Sequence, residues 1–298
     1  MCDSTSSCKS VRRSASPALW LLGTLLAAPA PAMDIAPGDY AVPPPGTTMA
    51  LYYGQYSSAR QLHVDGAGSV ADSELDLQGN LLRFVRYGEI GTLPFAVQAI
   101  VPFGEFADAR VGGIEQRTAE GVGDVVLAAS IFPVHAQNPG DMTIGLSAFL
   151  AVPTGEYAAD AFSIGSGTTT ATLQLGVIRP LTARLSLDAA VDVSITADHT
   201  EAGVTYSQDP QAQAQAYLRF ALSPRTNLSV GYAGFFGGKQ HAAGVYRGLS
   251  AEARQLRVFA DTFITPTIHV QVMIGRDLSR QGGFQTDLTG QLRLLKIF

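Results

Sequence analysis

Residues 211–220 read QAQAQAYLRF, and this stretch decides the fold. Ala212, Ala214, Ala216, Leu218 and Phe220 fall on one side of an extended chain, with Gln211, Gln213, Gln215, Tyr217 and Arg219 on the other. Successive side chains of a strand point to opposite faces, so the alternation means one apolar surrounding and one polar one. A helix would scatter the same residues around its circumference. Two other stretches repeat the pattern. Across 185–195, Leu185, Leu187, Ala189, Val191, Val193 and Ile195 oppose Ser186, Asp188, Ala190, Asp192 and Ser194. Across 268–274, Ile268, Val270, Val272 and Ile274 oppose His269, Gln271 and Met273.

Run length separates the possible β folds. Working outward, twelve such runs are found, at 47–57, 74–87, 93–103, 121–132, 142–152, 168–178, 184–196, 211–222, 227–237, 252–265, 267–278 and 284–298. Strands of soluble proteins usually run about 5–6 residues, whereas a tilted strand crossing a bilayer needs roughly 9–11. The second run is the least regular: its alternation slips near Arg83–Phe84, which predicts a bulge there. Composition agrees with a membrane setting. Of the 298 residues 46% are hydrophobic and only 15% charged, against roughly 25% charged in average soluble chains. No apolar run reaches the roughly 18–20 residues of a spanning helix. Twenty Lys+Arg against 25 Asp+Glu give a net charge of −5, which argues against a nucleic-acid partner.

The connections alternate in length. After even-numbered runs come short turns such as 179–182, 223–226 and 265–267; after odd ones come longer polar loops such as 59–73, 104–120, 153–167, 197–210 and 238–251. The connection at 133–141 is intermediate and the last outer one, 279–283, is short. Short turns on one side and long loops on the other are the habit of bacterial outer-membrane barrels, where the short turns are periplasmic. The first 32 residues fit that destination. Lys9, Arg12 and Arg13 precede an 11-residue apolar stretch, ALWLLGTLLAA, and Ala30-Pro31-Ala32 offers a cleavage site. Both cysteines, Cys2 and Cys8, fall in this leader, so the body offers no disulfide and no thiolate ligand. Removing the leader leaves 17 basic and 24 acidic residues, a charge of −7. The expected organisation is a leader at 1–32, a short periplasmic segment at 33–46 and an outer-membrane barrel at 47–298. The Pro-rich segment is too short to fold as a plug, though long enough to tuck into the periplasmic mouth.

A small internal echo, V-P-x-G-E-aromatic-A, occurs at Val101–Ala107 and Val152–Ala158, and each proline is expected at the outer end of a strand. Taken with Ala36-Pro37-Gly38-Asp39-Tyr40, Pro44-Pro45-Gly46-Thr47, Gly121-Val122-Gly123-Asp124, Gln208-Asp209-Pro210, Leu222-Ser223-Pro224, Thr265-Pro266-Thr267, Gly275-Arg276-Asp277 and the terminal Leu292–Phe298, the chain resembles a family of outer-membrane transporter barrels associated with the meta-pathway of phenol degradation. The resemblance spans the region after the leader. It implies an all-β, antiparallel, up-and-down barrel of about twelve strands that carries small hydrophobic or aromatic molecules, and it brings no catalytic residue with it. Phe298 also resembles the C-terminal aromatic by which barrel-assembly machinery recognises its clients.

The inward rows supply the candidate pore lining: Asp188, Asp192, Gln213, Gln215, Tyr217, Arg219, Arg257, Asp261, His269, Gln271 and Arg293, with Asp287 on the same parity. Outward residues meet outer-membrane lipid, so the expected partners are lipid, the assembly machinery and a small solute of the hydrophobic or aromatic class that the resemblance implies. Both signs of charge are present inside, so a closed structural or adhesive barrel, its charges paired across the lumen, is the competing reading. An outer-membrane hydrolase is a weaker one. It would need a nucleophile and base in hydrogen-bond reach, and Asp198-His199 offers at most half of such a site. No sequence pattern calls for a metal or another cofactor.

Overall fold

The computed structural model describes residues 34–158 and 160–298; the expected leader lies outside them. Twelve long strands form among the described residues. They are β1 (Thr48–Val64), β2 (Glu74–Ile90), β3 (Leu93–Val111), β4 (Val125–Val134), β5 (Thr143–Val152) and β6 (Thr170–Pro180), followed by β7 (Leu185–Thr196), β8 (Gln211–Ala221), β9 (Thr226–Gly237), β10 (Ala253–Thr265), β11 (Ile268–Arg280) and β12 (Gly283–Ile297). Each pairs antiparallel with its neighbours in chain order, and β12 returns to pair with β1 from Met49↔Ile297 to His63↔Gly283. The sheet therefore closes on itself and leaves no edge. That closure satisfies the backbone donors and acceptors without water, which is what a lipid environment demands.

Alternation sets the two faces. Along β8, Gln213, Gln215 and Tyr217 are buried, while Ala216, Leu218 and Phe220 are exposed. Along β7, Asp188, Asp192 and Ser194 are buried and Val191, Val193 and Ile195 are exposed. Exposed Leu and Val recur around the outside, as an apolar band facing lipid requires.

Several local expectations are corrected. No register shift occurs at Arg83–Phe84, where β1 and β2 pair without interruption from Thr48↔Arg86 to Ala59↔Leu75. The pattern slips in sequence because both faces of this strand are apolar. Val85 and Tyr87 pack inside the barrel, while Leu82 and Phe84 face outward. The irregularity of β2 lies instead between Asp76 and Leu77, opposite Asp108 and Phe106. Pro102 does not end β3. It marks where regular pairing with β4 stops, after Ile100↔Val126, while pairing with β2 continues as far as Glu74↔Arg110; a residue lacking a ladder donor suits that boundary. Asp287 shares the inner parity but falls where the β1–β12 register shifts; it is exposed and accepts the Arg60 backbone N–H at 3.0 Å.

The long-loop end is more structured than a set of polar loops. β1, β2 and β3 run 17–19 residues, beyond the length of the other strands. Short strands at His199–Glu201, Val204–Gln208, Gln240–Ala242 and Val245–Tyr246 make a separate four-stranded sheet. Phe162, fully buried, packs with Phe106 and Phe284 at this end.

The face assignment is testable by depth. Arg in place of Ala216, at the middle of β8, should cost about 2–4 kcal/mol of unfolding free energy in phospholipid vesicles, and Arg in place of Ala212, near the strand end, about 0–1. Equal costs from denaturant titrations of the two variants would contradict the membrane position of the strand.

Candidate luminal site

The inward rows converge on a segment that belongs to no strand. Asp34 to Tyr40 enter the barrel from its short-turn end, where β1 begins, and Ile35, Ala36 and Tyr40 are buried with wall residues Val85, Tyr87, Phe132 and Tyr217. A backbone turn, Asp39 N–H to the Ala36 carbonyl at 3.1 Å and Ala36 N–H to Asp39 Oδ2 at 3.2 Å, holds the segment compact. Gly38 at φ 91° permits the reversal. The segment goes deeper than a seat at the mouth, and it fills the lumen without folding as a domain.

Charge fastens it to the wall. The Arg293 guanidinium (β12) lies 2.6 Å from Asp39 Oδ1, and Arg83 (β2) lies 3.5 Å from Asp39 Oδ2. Asp34 accepts a hydrogen bond from Gln213 at 2.6 Å and pairs with Arg257 at 2.9 Å. The Ile35 backbone N–H reaches Gln215 Oε1 at 3.3 Å. Arg257 in turn donates to the Tyr217 hydroxyl at 3.1 Å, and that hydroxyl donates to Gln215 at 3.0 Å. Five of the sequence-selected residues, Arg293, Gln213, Gln215, Tyr217 and Arg257, thus meet on one segment.

On the opposite wall a hydrogen-bonded belt crosses six strands. Arg83 donates to Gln98 at 2.8 Å, Gln98 to Ser130 at 3.3 Å, and the Ser130 and Ser147 hydroxyls meet at 2.7 Å. The Tyr40 hydroxyl joins Ser147 (3.1 Å) and donates to Gln174 (2.9 Å), whose amide donates to Asp192 at 3.1 Å. Burial pushes the Tyr40 hydroxyl up to about 12, so it keeps its proton to donate. Asp188 pairs with Arg219 at 2.7 and 3.2 Å, and His269 meets Asp261 at 3.1 Å, with Asn227 donating to the same carboxylate. All eleven selected residues point inward, and all but the half-buried Arg219 are buried. Arg219 pairs with Asp188, whereas Asp192 meets the neutral amide of Gln174.

Asp34, Asp39, Tyr40, Arg83, Ser147 and Gln174 were missed. The first three lie outside any period-two run, and Arg83 sits where apolar residues on both faces hide the alternation. His199 stacks on Tyr206 and bonds the Tyr157 hydroxyl. His63 meets Ser69 at 3.1 Å and Gln285 at 2.9 Å, and a neutral glutamine offers an imidazolium no countercharge.

A closed, lipid-banded, twelve-stranded antiparallel barrel of this kind is an outer-membrane β-barrel. The chain belongs to the family described as "Putative MetA-pathway of phenol degradation", whose model matches residues 58–294. It is similar to an outer-membrane channel from Pseudomonas putida F1, with 25% identity and a TM-score of 0.81, covering 89% of this chain and 100% of that one. The transport unit of the autotransporter AIDA-I from Escherichia coli shares the fold at 8% identity and a TM-score of 0.52, covering 94% of this chain and 96% of that one. No curated protein matches it in sequence. By the habit of such barrels the short-turn end faces the periplasm.

The anchor has a pH signature. Burial alone would raise the Asp39 pKa, but Arg293 and Arg83 outweigh it and hold the carboxyl below its usual range. Its stabilising contribution is therefore complete above the usual carboxylate range, about pH 4, and is lost only as pH falls through the lowered value. A nitroxide at Ala41→Cys, an exposed position next to the seated ring, should stay immobile at pH 5 and loosen only well below pH 4; Asp39→Asn should free it at neutral pH. A label mobile in the unaltered segment at pH 5 would show that the ion pairs do not hold it.

Proposed function

We propose that this barrel is a channel for passive uptake of small hydrophobic or aromatic molecules across the outer membrane, closed at rest by its own residues 34–40. The observation that carries the reading is the way the lumen is filled. The obstruction is a strandless segment fastened by side chains, so it can leave while the ladder stays intact. The family's link to phenol degradation and the Pseudomonas putida channel support the reading. So does the aromatic lining contributed by Tyr87, Phe132, Tyr217 and Phe259 of the wall. Gln271 is buried with neither amide atom bonded to another protein group, and leaving such a group dry costs about 1–3 kcal/mol, which favours a hydrated interior.

In this reading Asp188, Asp192, Gln213, Gln215, Tyr217, Arg219, Arg257, Asp261, His269, Gln271 and Arg293 line the path once the segment withdraws. Residues 1–32 direct export and are removed near Ala32, 33–46 form the periplasmic-side gate, and 47–298 form the barrel. Phe298, exposed at the end of β12 beside Lys296, serves as the mark read by the barrel-assembly machinery. The dense interior pairing favours the closed-barrel alternative only as a description of the resting state.

Single-channel recording decides between them. Purified protein in planar bilayers should conduct weakly, and a folded variant lacking residues 34–41 should conduct several-fold more, with phenol interrupting the current. A deletion variant that folds yet stays silent would leave a structural barrel.

A further inference from the structure

The ring of Tyr40 occupies a place built to its shape. Gly145 of β5 and Gly176 of β6 are cross-strand partners on the inner face. A Cβ at Gly176 would come within 2.0–2.3 Å of the Tyr40 ring, and one at Gly145 within 2.5–2.6 Å. The ring thus lies against a floor of bare backbone, and any side chain at either position would take its space. Glycine inside a strand weakens it and marks a site where another group approaches closely. The next inward pair toward the long-loop end, Ser147 and Gln174, receives the hydroxyl. Phe132 closes the side, its ring 6.2 Å from that of Tyr40 at 70°, an edge-on arrangement that aromatic rings favour.

A flat floor, an edge-on aromatic wall and an oriented acceptor at the far end are the requirements for recognising a hydroxylated benzene ring. Here the chain satisfies them with its own phenol. The free space left beside Tyr40, bordered by Arg83, Tyr87, Gln98 and Phe149, is about 40 Å³. That suits a water molecule, and an apolar cavity that takes benzene measures about 150 Å³. No ring fits while Tyr40 is in place.

We propose that the Gly145–Gly176 pocket is a binding site for a free monohydroxylated benzene, held shut by Tyr40 and entered when the solute displaces that ring. The exchange is one aromatic hydroxyl for another, so the floor, the wall and the Gln174 acceptor are satisfied in both states. What differs is the segment: with its ring displaced, residues 34–40 lose one of their holds and the lumen loosens where the solute has bound. The gating consequence rests on the channel reading, whereas the site stands on the contacts alone.

Binding to folded, heat-modifiable protein tests it, with phenol and toluene as probes. A tethered competitor acts at millimolar effective concentration or above, so Tyr40→Gly should bind phenol at least ~10-fold more tightly than the wild-type chain. Toluene leaves the Gln174 acceptor unpaired, and a site built for a hydroxyl discriminates against the analogue lacking it; it should bind at least ~10-fold more weakly than phenol. Adding Gly176→Ala to Tyr40→Gly should abolish phenol binding. Equal affinity for the two probes, or no gain on removing the ring, overturns the site. In the chain that keeps Tyr40, phenol should mobilise a nitroxide at Ala41→Cys and toluene should not; a label that phenol leaves immobile overturns displacement. Conductance separates the two readings. A barrel lacking residues 34–41 that binds phenol selectively but passes nothing keeps the site and ends the channel, and one that passes phenol without selective binding does the reverse.

Discussion

A lipid environment provides no hydrogen bonds, and the rest of this structure follows from that. Every backbone donor and acceptor must be met within the sheet, so the twelve strands close through β12 and β1. Closure then dictates the side chains. Alternate residues face lipid and must be apolar, and the remainder are committed to the interior whatever their charge. Asp188, Asp192, Asp261, Arg257 and Arg293 are buried for this reason. They are not a polar core assembled for stability, but the inner half of a pattern whose outer half is fixed by the membrane.

Burial of charge has its own consequence, because an unpaired charge in such a place is costly. Part of the solution lies within the wall, as in Asp188–Arg219 and Asp261–His269. The rest comes from outside it. Arg257 pairs with Asp34, while Arg293 and Arg83 share Asp39, so basic residues of the wall are neutralised by acidic residues of a segment that makes no strand. Twelve strands enclose more room than their own side chains fill, and an eight-stranded barrel would have left none. Space and the three wall arginines that pair with Asp34 and Asp39 together select a short acidic segment. The same two features make that segment removable, because none of its holds on the wall is a strand pairing.

Much of the barrel is legible in the sequence because period two is a direct record of two solvents. The glutamine–alanine run at 211–216 could not be read otherwise, and the strands built on such runs fall within a few residues of expectation. Legibility fails where the physics is not periodic. Around Arg83 both faces are apolar, since Val85 and Tyr87 serve an interior aromatic cluster, and the alternation disappears although the strand is regular. The long-loop strands at 199–208 and 240–246 pair with one another rather than with lipid or lumen, so no alternation announces them. The inner seat of Asp39 and Tyr40 leaves still less trace. Their partners on the wall lie from 44 to 254 positions away in the chain, and the glycines that receive the ring read in sequence only as gaps in two strands.

In the proposed channel, residues 34–40 must leave the lumen before anything passes. Joining Ile35→Cys to Gln215→Cys with a short reducible thiol cross-linker would fasten the segment where its backbone already meets the wall at 3.3 Å. Solute flux through the cross-linked barrel in liposomes tests the claim most directly, compared before and after the link is reduced. No flux is expected while the link is intact, and full flux once it is cut. Equal flux in both conditions would mean that the path runs elsewhere and that the segment is merely part of the wall.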